Sequence, residues 1–351
     1  MDKNSLITYI EDSFIKDIIS KKEITDISYN GRDIYYVSNL SGRHKNNETI
    51  SQLEANDFIR QIANIAEKQF SYLSPILDIN IGRYRINAVN SSVGRIGDEG
   101  AITFSIRIAS NELKITNNHK FMEKDVEELL DTLISNHVSI VIAGIPGSGK
   151  TEFQKYLISR INEEERIIII DQTIELTMLT SILPHDITLW QADERNKEAN
   201  VNNLIKNGLR NNPDWMIISE ARGGEMNDVL TSAMTGIPII TTIHSYDAFS
   251  APHRIARMVM QSEKKMDYLD VLSNVNEHFK LYVYLRKYIN EKGHIKRYIS
   301  SIVEVKENGE KNEIYNDDLK RKRYAKISQN LSNILINNKN KLKNTRFMKH
   351  E

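Results

Sequence analysis

The apolar run VSIVIA (138–143) passes directly into Gly144-Ile-Pro-Gly-Ser-Gly-Lys-Thr151, and Glu152 and Phe153 follow. The eight residues fit the spacing G-x-x-x-x-G-K-[ST] without a mismatch. Glycines at these positions let successive backbone N–H groups curl around an anion where side chains would obstruct. A helix starting at the lysine points its positive end at the same anion. The lysine side chain can then neutralise the β- and γ-phosphates of a nucleotide, and the hydroxyl after it can ligate Mg2+. Lys150 and Thr151 are those two residues. The candidate nucleotide contacts are therefore Gly144, Ile145, Pro146, Gly147, Ser148, Gly149, Lys150, Thr151 and Glu152, with ATP and Mg2+ as the expected ligands. The bland alternative is a chance Gly-rich turn with a capping threonine. A predicted strand before the loop and a predicted helix after it argue against that.

Three later apolar runs end in groups suited to phosphoryl transfer. RIIIID (166–171) ends in Asp171, with Gln172 next and Glu175 four residues beyond; WMIIS (215–219) is followed by Glu220, and PIITTI (238–243) by His244. Short apolar runs separated by helix-compatible segments predict a parallel sheet covered on both faces. The carboxyl ends of such strands form the edge where ligands bind. Each group also has a structural reading. Glu175 can be an acid favoured at a helix start, Glu220 a strand-end acid paired with Arg222, and His244 a satisfied structural histidine. Guanidinium groups that could stabilise transferring phosphoryl charge are Arg222, Arg254 and Arg257 here, and Arg83, Arg85 and Arg107 earlier in the chain. A surface salt bridge is the competing reading for each.

The elements that must carry these residues fall into two groups. The first twenty residues predict one helix with Leu6, Ile7, Ile10, Phe14, Ile18 and Ile19 near one face. ITDISY and DIYYVS around Asn30-Gly31 predict a hairpin. Ser51 and Glu54 predict a capping box opening a helix to about Phe70, with Leu53, Phe58, Ile62 and Ile65 on its apolar face. RYRINAVN and AITFSIRI alternate as antiparallel strands about the Gly-rich loop 94–100. This gives an α+β N-terminal domain over 1–112 and a linker at 113–120. An α/β, P-loop nucleotide-binding domain with a mainly parallel sheet follows over 121–310, and a basic, flexible tail over 311–351.

Length and composition suit two globular domains. Cysteine is absent, which excludes disulfides and thiolate metal sites. The N-terminus lacks an apolar leader core, and no apolar stretch approaches the roughly 20 residues of a membrane span. The expected location is cytoplasmic, with peripheral docking at the inner face of the cell membrane left open. Lys and Arg together equal Asp and Glu, 47 against 47, yet from Lys311 onward eleven basic residues face four acids. That tail is either a solvated polar segment or a contact for nucleic acid or anionic lipid.

Taken together, the motifs resemble the secretion traffic ATPases, the RecA-like hexameric motors of type II and type IV secretion and of type IV pili. TDISYNG, GRYRINAV and TFSIRI are similar to that family's N-terminal strands. DQTIEL falls at its Asp box, ISEARGGE at its Walker B segment and TTIHS at its His box; HRIARM and YVYLRKYINEKGHIKRYISSIVEV also fit. The likeness covers about residues 25–305. The pattern EARGGE…TTIHS is most like the type IV secretion, conjugation-type branch. By this resemblance Glu175 orients the attacking water, Glu220 holds Mg2+ through water, and His244 senses the γ-phosphate. Arg85 and Arg107 would lie against nucleotide bound between the domains. Gln172 stands where the family usually has a second acid, which implies slow hydrolysis.

The resemblance implies a homohexameric ring that hydrolyses ATP and works with membrane-embedded secretion or conjugation channel proteins. Two alternatives remain. One is a translocase that grips DNA directly, with the basic tail as its handle. The other is an ATP-gated assembly scaffold that scarcely turns over.

Overall fold

The computed structural model describes residues 3–115, 121–193, 196–306, 308–319, 321–336 and 346–348. They form two compact units. The first comprises Met1–Glu112 with Thr173–Glu175 and Ile289–Ile295; the second comprises Leu113–Gln172, Leu176–Tyr288 and Lys296–Glu351.

In the first unit the elements are α1 (Lys3–Glu11), α2 (Lys16–Ile19), β1 (Ile24–Tyr29), β2 (Ile34–Ser38), β3 (Gly42–Lys45), α3 (Gln52–Ile65), β4 (Ile76–Ile81) and β5 (Tyr84–Val89). A two-residue hairpin, β6 (Arg95–Ile96) and β7 (Glu99–Gly100), precedes β8 (Thr103–Ile108). Six strands make an antiparallel sheet in the order β3-β2-β1-β8-β5-β4. Alternation along β5 and β8 turns Tyr84, Ile86, Phe104 and Ile106 into the core. It leaves Arg107 exposed and Arg85 half-buried on the other face. The two arginines are direct cross-strand partners.

Three expectations are corrected here. The N-terminal helix is two short helices, broken after Glu11, where Ser13 Oγ donates to the Ile10 carbonyl at 2.7 Å. The capping box at Ser51 and Glu54 is present, but α3 ends at Ile65. Glu67 stops it by taking a left-handed φ of 54°, with Lys68 N–H donating back to the Ala63 carbonyl at 2.9 Å. Leu53 is 68% exposed, since five residues of helix rotate it well away from Phe58; Ala55, Ile59 and Ala63 join the expected Phe58 and Ile62 in the buried stripe. The expected hairpin around Asn30-Gly31 is present as β1 and β2; its loop runs over 30–33, with Asn30 Oδ1 accepting from the N–H groups of Arg32 and Asp33 and only Gly31 at positive φ.

The second unit contains α4 (Lys124–Ser135), β9 (Ile140–Gly144), α5 (Lys150–Ile158), β10 (Arg166–Asp171), α6 (Leu179–Ile182), β11 (Asp186–Gln191), α7 (Val201–Gly208) and β12 (Trp215–Ile218). It continues through α8 (Met226–Met234), β13 (Ile239–Ile243), α9 (Ala251–Val259), α10 (Tyr268–His278) and β14 (Leu281–Ile289). It closes with β15 (Ile295–Val305), β16 (Lys311–Asp317), β17 (Lys322–Tyr324) and α11 (Gln329–Ile336). Nine strands form one sheet ordered β11-β10-β12-β13-β9-β14-β15-β16-β17. The first six of these are parallel, and the last three pair antiparallel. Ile140 and Ile142 face one hydrophobic core, while Val141 and Ala143 face a second on the other side. The continuous apolar runs thus reflect a sheet covered on both faces. The expected α/β class with a mainly parallel sheet holds. Strand β11, half-buried at its four central residues and exposed at both ends on the sheet edge, was not anticipated.

The tail expected to be flexible from 311 is ordered over its described part. Strand β16 extends the main sheet, and Ile314, Tyr315, Ile327, Leu331, Leu335 and Phe347 are buried in the core that also holds α4. Apolar residues scattered among the lysines and asparagines supply that burial, which net charge conceals. Lys322 and Tyr324 both donate to Glu123, and Arg346 pairs with Asp125 at 2.6 Å. Residues 320, 337–345 and 349–351 of this segment lie outside the described residues, as do 116–120 of the expected linker. Among the described residues no helix is long and apolar enough to cross a membrane.

Candidate nucleotide site

Strand β9 is buried at every position and delivers Gly144 to the carboxyl edge of the sheet. A Cβ on Gly144 would sit 2.5 Å from Ser148 Oγ and 2.9 Å from the Leu285 carbonyl oxygen, so only glycine fits this exit. Gly147 and Gly149 take φ of 73° and 96°, the left-handed conformations that curl the loop. Gly149 is the N-cap of α5, which begins at Lys150. Ser148 is fully buried, and its Oγ has no hydrogen-bond partner among the described residues. A left-handed loop at a helix start, with an orphaned buried hydroxyl and an inward lysine, fits a phosphate group.

The register of the parallel strands brings the later groups to this edge. Ile243 pairs with Ala143, Ile218 with Thr241 and Ile170 with Ile218. Lys150 Nζ donates to the Gly144 carbonyl at 3.0 Å and lies 3.1 Å from His244 Nδ1. Nδ1 also lies 3.3 Å from the Gly144 carbonyl oxygen. Nε2 lies 2.8 Å from Glu220 Oε1. Arg222 holds the other Glu220 oxygen, with Nε at 2.9 Å and Nη2 at 2.6 Å from Oε2. Lys150, His244, Glu220 and Arg222 are thus one connected polar chain. The alternative reading of Glu220, paired with Arg222, describes a real contact within that chain.

Buried hydrogen bonds fix the strand ends. Thr242 Oγ1 donates to the Ser219 carbonyl at 2.8 Å, and Gln154 Nε2 on α5 donates to the Ile218 carbonyl at 2.9 Å. Gln172 N–H donates to Ser219 Oγ at 3.2 Å, and the fully buried Asp171 accepts from Leu176 N–H at 3.1 Å. Thr151 lies in the first turn of α5, and the Glu152 carboxylate pairs with the buried Lys155 at 2.9 Å. Thr151 and Glu220 are the residues that would hold Mg2+, which favours oxygen ligands and retained waters.

Glu175 groups with the first unit. There Arg107 bridges two acids, with Nε 3.1 Å from Asp26 and Nη1 3.3 Å from Glu175. Burial alone would lower the Arg107 pKa, but these two carboxylates outweigh it and raise it. Arg85 lies 3.7 Å from Asp78. Each of the facing arginines therefore has its own carboxylate, which offsets the repulsion of like charges placed opposite.

Two cations beside the loop escaped the sequence reading. Lys287 Nζ donates to the Pro146 carbonyl at 3.0 Å, and Arg297 Nε to the Gly147 carbonyl at 2.9 Å. The only signal was the density of basic residues in RKYINEKGHIKR. Nothing in that pattern tied them to residues some 140 positions earlier.

A family model described as "Type II/IV secretion system protein" matches residues 78–280. An uncharacterized protein of Bacillus anthracis is 30% identical over 309 residues, covering 85% of this chain and 68% of that protein. The type IV secretion system protein VirB11 of Bartonella henselae is 32% identical over 146 residues, covering 41% of this chain and 40% of its own length. Among solved structures, the Legionella pneumophila ATPase DotB superposes with a TM-score of 0.59 at 18% identity, over 84% of this chain and 80% of that one. At that identity the likeness speaks for the fold, a RecA-like ATPase fold preceded by an N-terminal domain.

Proposed function

The chain belongs to the type II/IV secretion system protein family, and we propose on that footing that it is a ring-forming ATPase of a type IV-like secretion or conjugation machine. It binds ATP with Mg2+ on the loop 144–152 and hydrolyses it to ADP and phosphate. Six chains form the working ring, which acts at the cytoplasmic face of a membrane beside a membrane-embedded channel. The observation that carries this reading is the chain from Lys150 through His244 to Glu220, which ends on the phosphate loop.

In this mechanism the loop N–H groups and Lys150 hold the β- and γ-phosphates. Bound Mg2+ supplies charge neutralisation of the transferring phosphoryl group. Thr151 and Glu220 orient it, and His244, held between Lys150 and Glu220, reports the γ-phosphate to both. Glu175 accepts the proton of the attacking water, and Arg107, its ion-pair partner, carries positive charge to the same carboxylate. Arg85 lies on the neighbouring strand as the second guanidinium.

The test is ATP turnover by the purified full chain, measured with and without single-stranded DNA. Turnover that requires Mg2+ and is indifferent to DNA supports the motor reading. Strong stimulation by DNA would replace it with a translocase. Turnover at background, with ATP still bound, would replace it with a scaffold.

A further inference from the structure

We propose that Lys287 and Arg297 are positioning residues for nucleotide phosphates, acting by gripping the carbonyl oxygens of the phosphate loop. This rests on the nucleotide-site reading and adds to it two cations outside the loop and the three strand-end motifs. The residues lie on β14 and β15, and their donors reach successive carbonyls of the loop, Pro146 at 3.0 Å and Gly147 at 2.9 Å. The approach is close. A Cβ on Gly147 would lie 3.0 Å from Lys287 Nζ, and one on Gly149 would lie 3.2 Å from Arg297 Cδ.

The chemistry follows from the peptide unit. The Pro146 carbonyl shares its peptide plane with the Gly147 N–H, and the Gly147 carbonyl shares its plane with the Ser148 N–H. A charge-assisted bond to the oxygen polarises that unit and makes its N–H a stronger donor. The Ser148 N–H donates within the loop to the Ile145 carbonyl at 3.2 Å, which holds the loop's curl, and the Gly147 N–H belongs to the stretch that cradles the anion. The same bonds mask two carbonyl dipoles whose negative ends would otherwise stand beside a polyphosphate. The two cations add long-range attraction to the same anion.

The two cations differ in surroundings. Arg297 is half-buried; burial lowers its pKa, and Glu152 nearby works against that shift. Lys287 is exposed. Salt screens an exposed charge far more than a half-buried one, so the Lys287 contribution should fade with ionic strength while that of Arg297 persists. A side chain that merely supports the hairpin would show no such split.

The experiment is equilibrium binding of a fluorescent ATP analogue with Mg2+ by the full chain, at low and high salt. The variants are Lys287→Met, Arg297→Met, Arg297→Lys, Lys150→Ala and, at the tip of the same hairpin, Lys292→Met. Melting without nucleotide is recorded for each. We expect Arg297→Met to weaken binding about tenfold at both salts, the scale of one lost hydrogen bond to a charged group. Arg297→Lys should recover part of the loss. Lys287→Met should weaken binding roughly threefold at low salt and not at high salt. Lys292→Met should match wild type. Normal binding by Lys287→Met and Arg297→Met, with Lys150→Ala defective, overturns this proposal alone. An affinity loss that tracks lowered unliganded melting and is not recovered by Arg297→Lys also overturns it. Binding unaffected by Lys150→Ala overturns the nucleotide site and this proposal together.

Discussion

His244 is held by two groups of opposite charge, the Lys150 ammonium at 3.1 Å and the Glu220 carboxylate at 2.8 Å. Its Nδ1 faces the lysine and the Gly144 carbonyl, and its Nε2 faces the carboxylate that would hold the metal. That arrangement separates the two candidate acids. Glu220→Gln removes charge from the metal side and should weaken Mg2+ dependence as well as turnover. Glu175→Gln leaves the chain from Lys150 to Glu220 intact and should slow turnover while binding MgATP normally. Mg2+ titrations of turnover check this, and identical metal dependence in the two variants would refute the division of labour. Arg107→Ala removes the partner of both Asp26 and Glu175. It should bind ATP with modest loss and hydrolyse it at least tenfold more slowly, an effect of about 1.4 kcal/mol or more on the barrier. Full turnover by the variant would make Arg107 a structural ion pair only.

Among the elements, the C-terminal segment departs furthest from expectation, and its packing changes what a truncation should do. Phe347 is fully buried and meets Tyr324 edge to face, and the Tyr324 hydroxyl donates to Glu123 ahead of α4. Phe347→Ala should cost about 3–5 kcal/mol, as for other buried aromatic truncations. Chemical denaturation measures it, and a loss under about 1 kcal/mol would show that the segment packs only loosely. Deleting 311–351 should leave an aggregating protein, since it strips β16 from the sheet. The anchor also responds to acid. Burial raises the Glu123 pKa, but the bonds from Lys322 and Tyr324 and the nearby charges outweigh it, so the folded value is lowered. Its contribution is complete above the ordinary carboxylate range and is lost as the pH falls through the lowered value. Glu123→Gln should therefore flatten the acid limb of the stability curve. Much of the rest was legible beforehand because local chemistry decides it. The capping box at Ser51, the continuous isoleucines of β10 and the glycines of the phosphate loop each report on their own conformation. The burial of Tyr315 and Phe347, the strand at 186–191 and the reach of Lys287 and Arg297 to residues 146–147 depend on partners far away in sequence. A basic, asparagine-rich composition pointed the other way.

For the whole molecule, the proposed function has a single loop capture ATP and its hydrolysis drive a ring of identical chains. Sedimentation with ATP and Mg2+ should give a species of six chains, and a protein that stays monomeric at micromolar concentration would contradict the ring. The loop itself is tested more directly by phosphate release. Lys150 is largely buried and is held by the Gly144 carbonyl and His244, with the helix start behind it. Replacing it leaves the loop backbone unchanged while removing the charge placed for the β- and γ-phosphates. The decisive measurement is steady-state phosphate release from MgATP by the wild-type chain and by Lys150→Ala, with melting recorded for both. Mg2+-dependent release is expected from the wild type, and background release from a variant that melts within a few degrees of it. Release by Lys150→Ala at the wild-type rate would rule out the loop as the site of hydrolysis.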